Sequence, residues 1–361
     1  LQYLHFSLWV IALIGIFYSY FTGDFGGREY WEFNPVWALP IFISFIVFLI
    51  FYIHQIGFKV KWPVYYWMWL TGLVFFIFTF IENYLWIFPY FREHFIADMT
   101  IQWKVNGSLV GAINQIIYGV AFYLMEKISG DEKSSYQKLS FAMYFLGMFN
   151  LMFNWGHHIY LLPTEKFIHY IAYAVSMTEW IILIRIFYKW SKQIKENKQF
   201  YYFFPYRFLM AADYWVTINL SLALFMSIPA INLFTHGTHI TVAHAMGTTI
   251  GINTMIIIAA AFYFIKPAFN NNKWKRFGTI TFWVVQGTLF LFLSSLIGMG
   301  IHRALWQAGL ANESFNKMSS SSGNWVLLFI IFGTILFLSM GTFIVYLLVK
   351  SWKKNKFDFP Y

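Results

Sequence analysis

Cysteine is absent from all 361 residues. That excludes disulfides, thiolate catalysis, iron–sulfur clusters and Cys-rich zinc sites from this chain. Charge is scarce too: 11% of the residues are Asp, Glu, Lys or Arg, where a soluble domain carries about 25%. What fills the chain instead is apolar, with 59% hydrophobic residues, 24% aromatic residues and a mean hydropathy of +0.57. Such a composition identifies an integral membrane protein, and the 17 Trp and 24 Tyr suit interfacial belts as well as a packed interior.

Ten apolar segments of spanning length are read at about 4–21, 35–56, 63–88, 101–127, 136–162, 166–188, 207–234, 237–265, 276–301 and 323–350. Short polar loops join them, with no long soluble insert, linker or repeat. The expectation is one all-α domain over residues 1–361, a polytopic transmembrane helical bundle of about ten helices. A β-barrel would show alternation over strands of about ten residues. The chain begins at Leu1 without an initiator Met, and its first segment reads as a helix rather than a cleavable signal. An N-terminally incomplete sequence is therefore expected.

Loop charge orients the bundle. The loops after segments 2, 4, 6 and 8 and the C-terminal tail hold 18 Lys or Arg, among them Lys59, Lys61, Lys127, Lys133, Lys189, Lys192, Lys273, Lys275, Arg276, Lys353 and Lys354; the other five loops hold 5. The positive-inside rule makes the first group cytoplasmic, with Leu1 and Tyr361 both on that side. The formal charge of +10 is thereby a topology signal and calls for no nucleic-acid partner.

Orientation assigns a depth to each polar residue. Segment 5 runs outward and reaches the adjacent pair His157 and His158 near its outer end. Segment 8 runs inward from His236-Gly237-Thr238-His239, which sets His244 about 12 Å below its start at 1.5 Å per residue. Segment 4 also runs inward and meets Asn106 within its first turns. Three helices thus bring His157, His158, His244 and Asn106 to one level in the outer half of the membrane. Imidazoles at membrane depth are costly without a partner, and neutral imidazole is the commonest transition-metal ligand, so a shared metal site is expected.

Other polar residues have plainer uses. Glu179 lies midway along segment 6, where a carboxylate must be protonated, paired or beside a water path, and a proton-handling role stands beside a structural one. Asn114, Gln115 and Asn253 read as interhelical hydrogen-bonders. Asp213, Lys104, Glu82 and Arg303 lie near segment ends, where side chains can snorkel. His5, His54, His94, His169 and His302 read as interfacial, and His236 and His239 as either supports of the metal site or interface residues.

These motifs resemble the catalytic subunit of bacterial nitric oxide reductases, in the haem–copper oxidase superfamily. The resemblance rests on Gly156-His157-His158, on His236-Gly237-Thr238-His239 leading to Ala243-His244, on Gly27-Arg28-Glu29-Tyr30 before segment 2, on Trp103-Lys104-Val105-Asn106, and on Glu179 placed 21 residues after His158. It covers essentially the whole chain and implies a haem–copper oxidase-like bundle whose first helices lie upstream of Leu1. It also implies a multi-pass protein of the bacterial cytoplasmic membrane. In that family the residue matching His244 ligates a high-spin haem b, and those matching His157 and His158 hold the facing non-haem metal, iron or, in its place, copper.

The departures from the family pattern are informative. Its third metal-binding histidine falls at Asn106, and its two pocket glutamates fall at Val110 and Asn114. An amide oxygen is a weaker donor than imidazole, and the lost carboxylates remove proton-handling groups. Where the family carries a ligand of the low-spin haem b, this chain has Met246, so that haem is either His/Met-ligated or absent. Substitutions of this kind mark the nitric oxide dismutase branch, whose reaction turns two nitric oxide molecules into dinitrogen and dioxygen with no net electrons or protons. Dismutation is accordingly the expected activity. A quinol-linked nitric oxide reductase making nitrous oxide is the second reading, and a non-catalytic haem gas sensor the third. Oligomeric state is not legible.

Overall fold

The computed structural model describes the main chain of residues 1–28, 31–57, 61–265 and 272–353. Glu29, Tyr30, Lys59 and Lys354 lie outside the described residues, as do the side chains of Glu179, Lys273 and Lys353. The described residues hold one hairpin and are otherwise helices and their connections, and eight of the described helices are long and apolar enough to cross a membrane. In order they begin with α1 (Gln2–Thr22), the antiparallel pair β1 (Phe25–Arg28) and β2 (Trp31–Phe33), α2 (Ala38–Ile56), α3 (Val64–Asn83) and α4 (Phe95–Ser129). Next come α5 (Lys138–Phe153), α6 (Lys166–Ser176) and α7 (Glu179–Gln193). Then follow α8 (Phe203–Met226), α9 (Pro229–Thr235), α10 (His239–Met246), α11 (Met255–Ile265), α12 (Asn272–Gln307) and α13 (Gly323–Lys353).

Three of the ten expected segments are interrupted. Segment 5 stops being α-helical at Phe153 and tightens into a 3₁₀ turn over Asn154–Ile159, which contains both histidines. Asn, Trp and Gly in succession favour a helix poorly, and the tight turn lets Gly156 approach Ala172 and Ile168 where a Cβ would collide. Segment 6 breaks between Ser176 and Glu179, with the Thr178 hydroxyl donating to the Val175 carbonyl at 2.7 Å. Segment 7 ends at Met226, and Pro229, which has no N–H to continue a helix, opens a new one. This resets the depth of Asp213: near a segment end by sequence, it lies about halfway along α8, and its Oδ1 is shielded from solvent without a hydrogen-bond partner.

The chain divides into two compact units, one of Leu1–Phe122 with Lys133–Glu179, the other of Tyr123–Glu132 with Trp180–Tyr361. In lipid, burying an apolar side chain against another helix gains little over burying it in acyl chains, so close packing holds such helices together. The first unit follows that rule. Its core joins Ala12, Ala38, Ile41, Phe76, Phe80, Leu109, Ala112 and Leu151, and Phe45 stacks on Phe76 at 3.7 Å. Gln115 is buried and donates to the Tyr144 carbonyl at 3.5 Å, the interhelical use expected of it. His5 differs from its interfacial reading: Nδ1 lies 2.6 Å from the Ser44 hydroxyl, tying α1 to α2. Lys104 and Glu82 also differ, because they pair with each other instead of snorkelling separately.

The second unit is built on phenylalanine. Phe204 and Phe208 stack on Phe262 at 5.0 and 5.7 Å, while Phe282 and Phe343 meet Phe208 edge-on at 5.2 Å. Offset and edge-to-face pairs of this kind each add about 0.5–1.5 kcal/mol beyond area burial. Between α10 and α11 the helix widens into π geometry over Gly247–Thr254. The widening coincides with two close approaches, of Gly247 to the Asn219 amide and of Gly251 to Trp215.

Candidate functional site

The first unit brings two of the expected ligands together and packs the stretch of α4 that carries Asn106 against them. The rings of His157 and His158 lie 4.2 Å apart, centre to centre. His158 stacks on Trp103 of α4 with centroids 5.8 Å apart, and the Cα of Gly107 faces its Cδ2 edge. Asn106 belongs to the same turn of α4 as these two residues, and its Nδ2 is shielded from solvent without a hydrogen-bond partner. The approach of α4 depends on Gly107, since a Cβ there would stand 2.9 Å from that of Trp155.

Two residues that sequence reasoning missed set the chemistry of His157. Its Nδ1 lies 2.9 Å from Oδ1 of Asn154, and the Ser176 hydroxyl bonds to that same oxygen. An amide oxygen only accepts, so Nδ1 carries the proton and Nε2 keeps its lone pair. Fixing the tautomer in this way is what the outer hydrogen bond of a metal-binding histidine ordinarily does. Asn154 stands three residues before His157 and was detectable by spacing. Ser176 arrives from the far end of α6 and left no local signal.

Below Asn106, Val110 and Asn114 continue one stripe of α4 at intervals of four. The stripe is incompletely covered by protein, Val110 being 46% exposed. It carries no carboxylate. Among the described residues no three His, Asp or Glu side chains gather as a metal-binding group. The expected donor set differs in kind, with two imidazoles and an amide. The pre-set tautomer of His157, which leaves Nε2 unprotonated, fits a bound metal ion.

The second unit carries His244 and Met246 at the end of α10. Two residues apart on a helix, they point about 200° from one another, so each serves a different neighbour. The His244 imidazole faces the main chain of Asn219, and its Nδ1 is shielded from solvent. Asn219 also donates to Thr248 at 2.7 Å, bracing the start of the π-helical stretch just beyond His244. A half-buried imidazole whose Nδ1 is shielded fits a haem ligand through its other nitrogen. His236 lies outside the spanning helices, and burial pushes its imidazole below the ordinary value, which favours the neutral form. The main chain of Glu179 opens α7 directly after the break in segment 6.

One unit of this polytopic helical protein thus carries the histidine pair and the other the half-buried His244. Residues 1–336 match the family Cytochrome C and Quinol oxidase polypeptide I, and the chain belongs to that family, within the haem–copper oxidase superfamily. Members of the family bind haems and a metal. Among its relatives is cytochrome c oxidase subunit 1 of Rhodobacter capsulatus, 24% identical over 325 residues, which cover 82% of this chain and 58% of the relative. The chain thus spans less than two thirds of that relative's length. Its fold is that of a solved heme-copper terminal oxidase dimer, with a TM-score of 0.73 at 13% identity, covering 97% of this chain and 69% of that one.

Proposed function

We propose that the chain carries the catalytic centre of a nitric oxide dismutase, which converts two nitric oxide molecules into dinitrogen and dioxygen. In this reading the two units are parts of one membrane domain in a bacterial cytoplasmic membrane, with both ends of the chain cytoplasmic. His244 holds a high-spin haem b. His157, His158 and Asn106 hold a non-haem iron, or copper in its place, and Met246 serves a low-spin haem b where one is bound. When bound, the haem and the metal supply the redox chemistry at which nitric oxide reacts. The protein's own side chains bind, orient and exclude. Asn154 keeps His157 in its ligating tautomer, and Glu179 remains the candidate proton-handling carboxylate.

The observation that carries the reading is the stripe Asn106, Val110 and Asn114, which holds no carboxylate, on the helix that packs against the histidine turn through Trp103 and Gly107. Reduction of two nitric oxide molecules to nitrous oxide requires two protons and two electrons at the metal. Dismutation requires neither in net. A wall without proton-handling groups suits the second reaction, and quinol is not needed for it.

The test gives isotopically labelled nitric oxide, without an electron donor, to purified full-length protein and follows the gases by mass spectrometry. Labelled dinitrogen and dioxygen are expected. Nitrous oxide formed only when quinol is supplied overturns the proposal in favour of the reductase. Reversible binding without turnover overturns it in favour of a gas sensor.

A further inference from the structure

Within the spanning helices of the first unit, one ion pair stands beside the histidine turn. Lys104 of α4 and Glu82 of the last turn of α3 are joined by a salt bridge, with their side chains 24 and 22% exposed. Lys104 belongs to the turn of α4 that packs on the histidines: Trp103, the residue before it, stacks on His158, and Gly107, the third after it, faces the edge of that ring. At about 100° per residue, its side chain leaves this contact on one flank. It runs to α3, where Nζ lies 5.8 Å from the centre of the Phe78 ring, one turn before Glu82.

The donors expected at the metal are two imidazoles and an amide, all neutral, so a metal ion held there keeps its whole positive charge. A second cation close by then matters. Lys104 stands two residues before Asn106, about 3 Å along the helix axis, and charges away from bulk water are screened far less than surface ones. Left alone, its ammonium would repel the metal. Stability by itself gives little reason for the pair, because a buried ion pair is often no more stabilising than apolar side chains of similar volume. Its charge balance is the more telling property.

We propose that Glu82 is the charge-compensating residue of the histidine centre: it neutralises Lys104, so that no uncancelled cation lies beside a metal held by neutral donors. Glu82 acts through Lys104 and supplies no ligand. The inference rests on reading the histidine pair as a metal site and is indifferent to which reaction runs there.

The test loads the full-length protein and its variants with iron(II) and follows the metal retained against a graded chelator. Glu82→Gln uncovers Lys104 and should weaken retention about tenfold. Combining Glu82→Gln with Lys104→Gln removes both charges and should bring retention back to within about twofold of the unaltered protein, while Lys104→Gln alone should not weaken it. The reduction potential of the bound iron should follow the same order, raised in Glu82→Gln and restored in the double variant, because a lone cation favours the less positive ion. A pair that only ties α3 to α4 behaves otherwise, since losing both partners is then at least as harmful as losing one. Unchanged retention in a folded Glu82→Gln, or a double variant as weak as the single one, overturns the proposal. Melting curves by circular dichroism check folding; should Glu82→Gln melt early, Lys104→Gln decides, because loss of metal there also overturns it. His158→Ala separates the two levels of inference. If that variant keeps its iron, the histidine assignment falls and takes the charge role with it, whereas iron lost in His158→Ala and kept in Glu82→Gln overturns the charge role alone.

Discussion

An imidazole binds a metal through whichever nitrogen keeps its lone pair, and at His157 the Asn154 amide oxygen makes that choice. Removing the acceptor frees the ring to rotate and change tautomer. Asn154→Ala is therefore expected to weaken the second metal by about 10- to 100-fold, the usual cost of deleting such a partner, measured as metal retained against a graded chelator. Asn154→Asp keeps an acceptor and should recover most of the loss. Unchanged metal retention in Asn154→Ala would show that the tautomer is set elsewhere. His244 answers to a different measurement. If it is the protein ligand of the catalytic haem, His244→Ala should abolish attachment of that haem in a pyridine haemochrome assay while the helix persists, Ala being a good helix former. A histidine with only a structural role would cost about 1–3 kcal/mol for its unsatisfied partner and leave haem content unchanged.

At the scale of elements, the histidines sit where regular helix stops being regular. His157 and His158 occupy a 3₁₀ turn, and His244 lies just before a π-helical stretch. Hydrophobic periodicity located both segments, because apolar length alone marks a span, but it was blind to these changes of pitch. They arise from tertiary contacts: Gly156 meeting α6 in the first case, Gly247 meeting Asn219 in the second. The same blindness placed Asp213 near a helix end and kept segment 7 continuous through Pro229. Depth along the helices led to the histidine pair and to the stretch of α4 that packs on it, whereas Ser176 was not legible, since nothing local links it to a residue 19 positions back. A substitution tests the pitch directly. A Cβ at position 247 would lie 2.3 Å from Oδ1 of Asn219, so Gly247→Ala forces that amide off Thr248 or straightens the helix. A cost of about 1–3 kcal/mol is expected, typical of overpacking, seen as a lower thermal midpoint together with a shifted haem absorption band. A lower midpoint with an unmoved band would detach the π-helical stretch from the haem site.

For the whole molecule, the absence of cysteine turns orientation into a clean experiment. Lys and Arg crowd one set of loops, and short basic loops resist translocation, so the basic side is expected to be cytoplasmic. Lys133 lies in the exposed connection between α4 and α5 on the basic side, and Asn312 in the exposed connection between α12 and α13 on the other. Lys133→Cys and Asn312→Cys each create the chain's sole thiol. Neither residue is in a helix that packs against another, so each change is expected to alter stability by less than about 0.5 kcal/mol. In right-side-out membrane vesicles a membrane-impermeant maleimide should label the Asn312→Cys protein and spare Lys133→Cys until the vesicles are opened. Labelling in the reverse order would invert the bundle. It would set the histidine pair and His244 in the cytoplasmic half of the membrane. The shared depth of these residues survives either outcome, because it rests on the alternating direction of the helices; this one measurement decides which side of the membrane the centre faces.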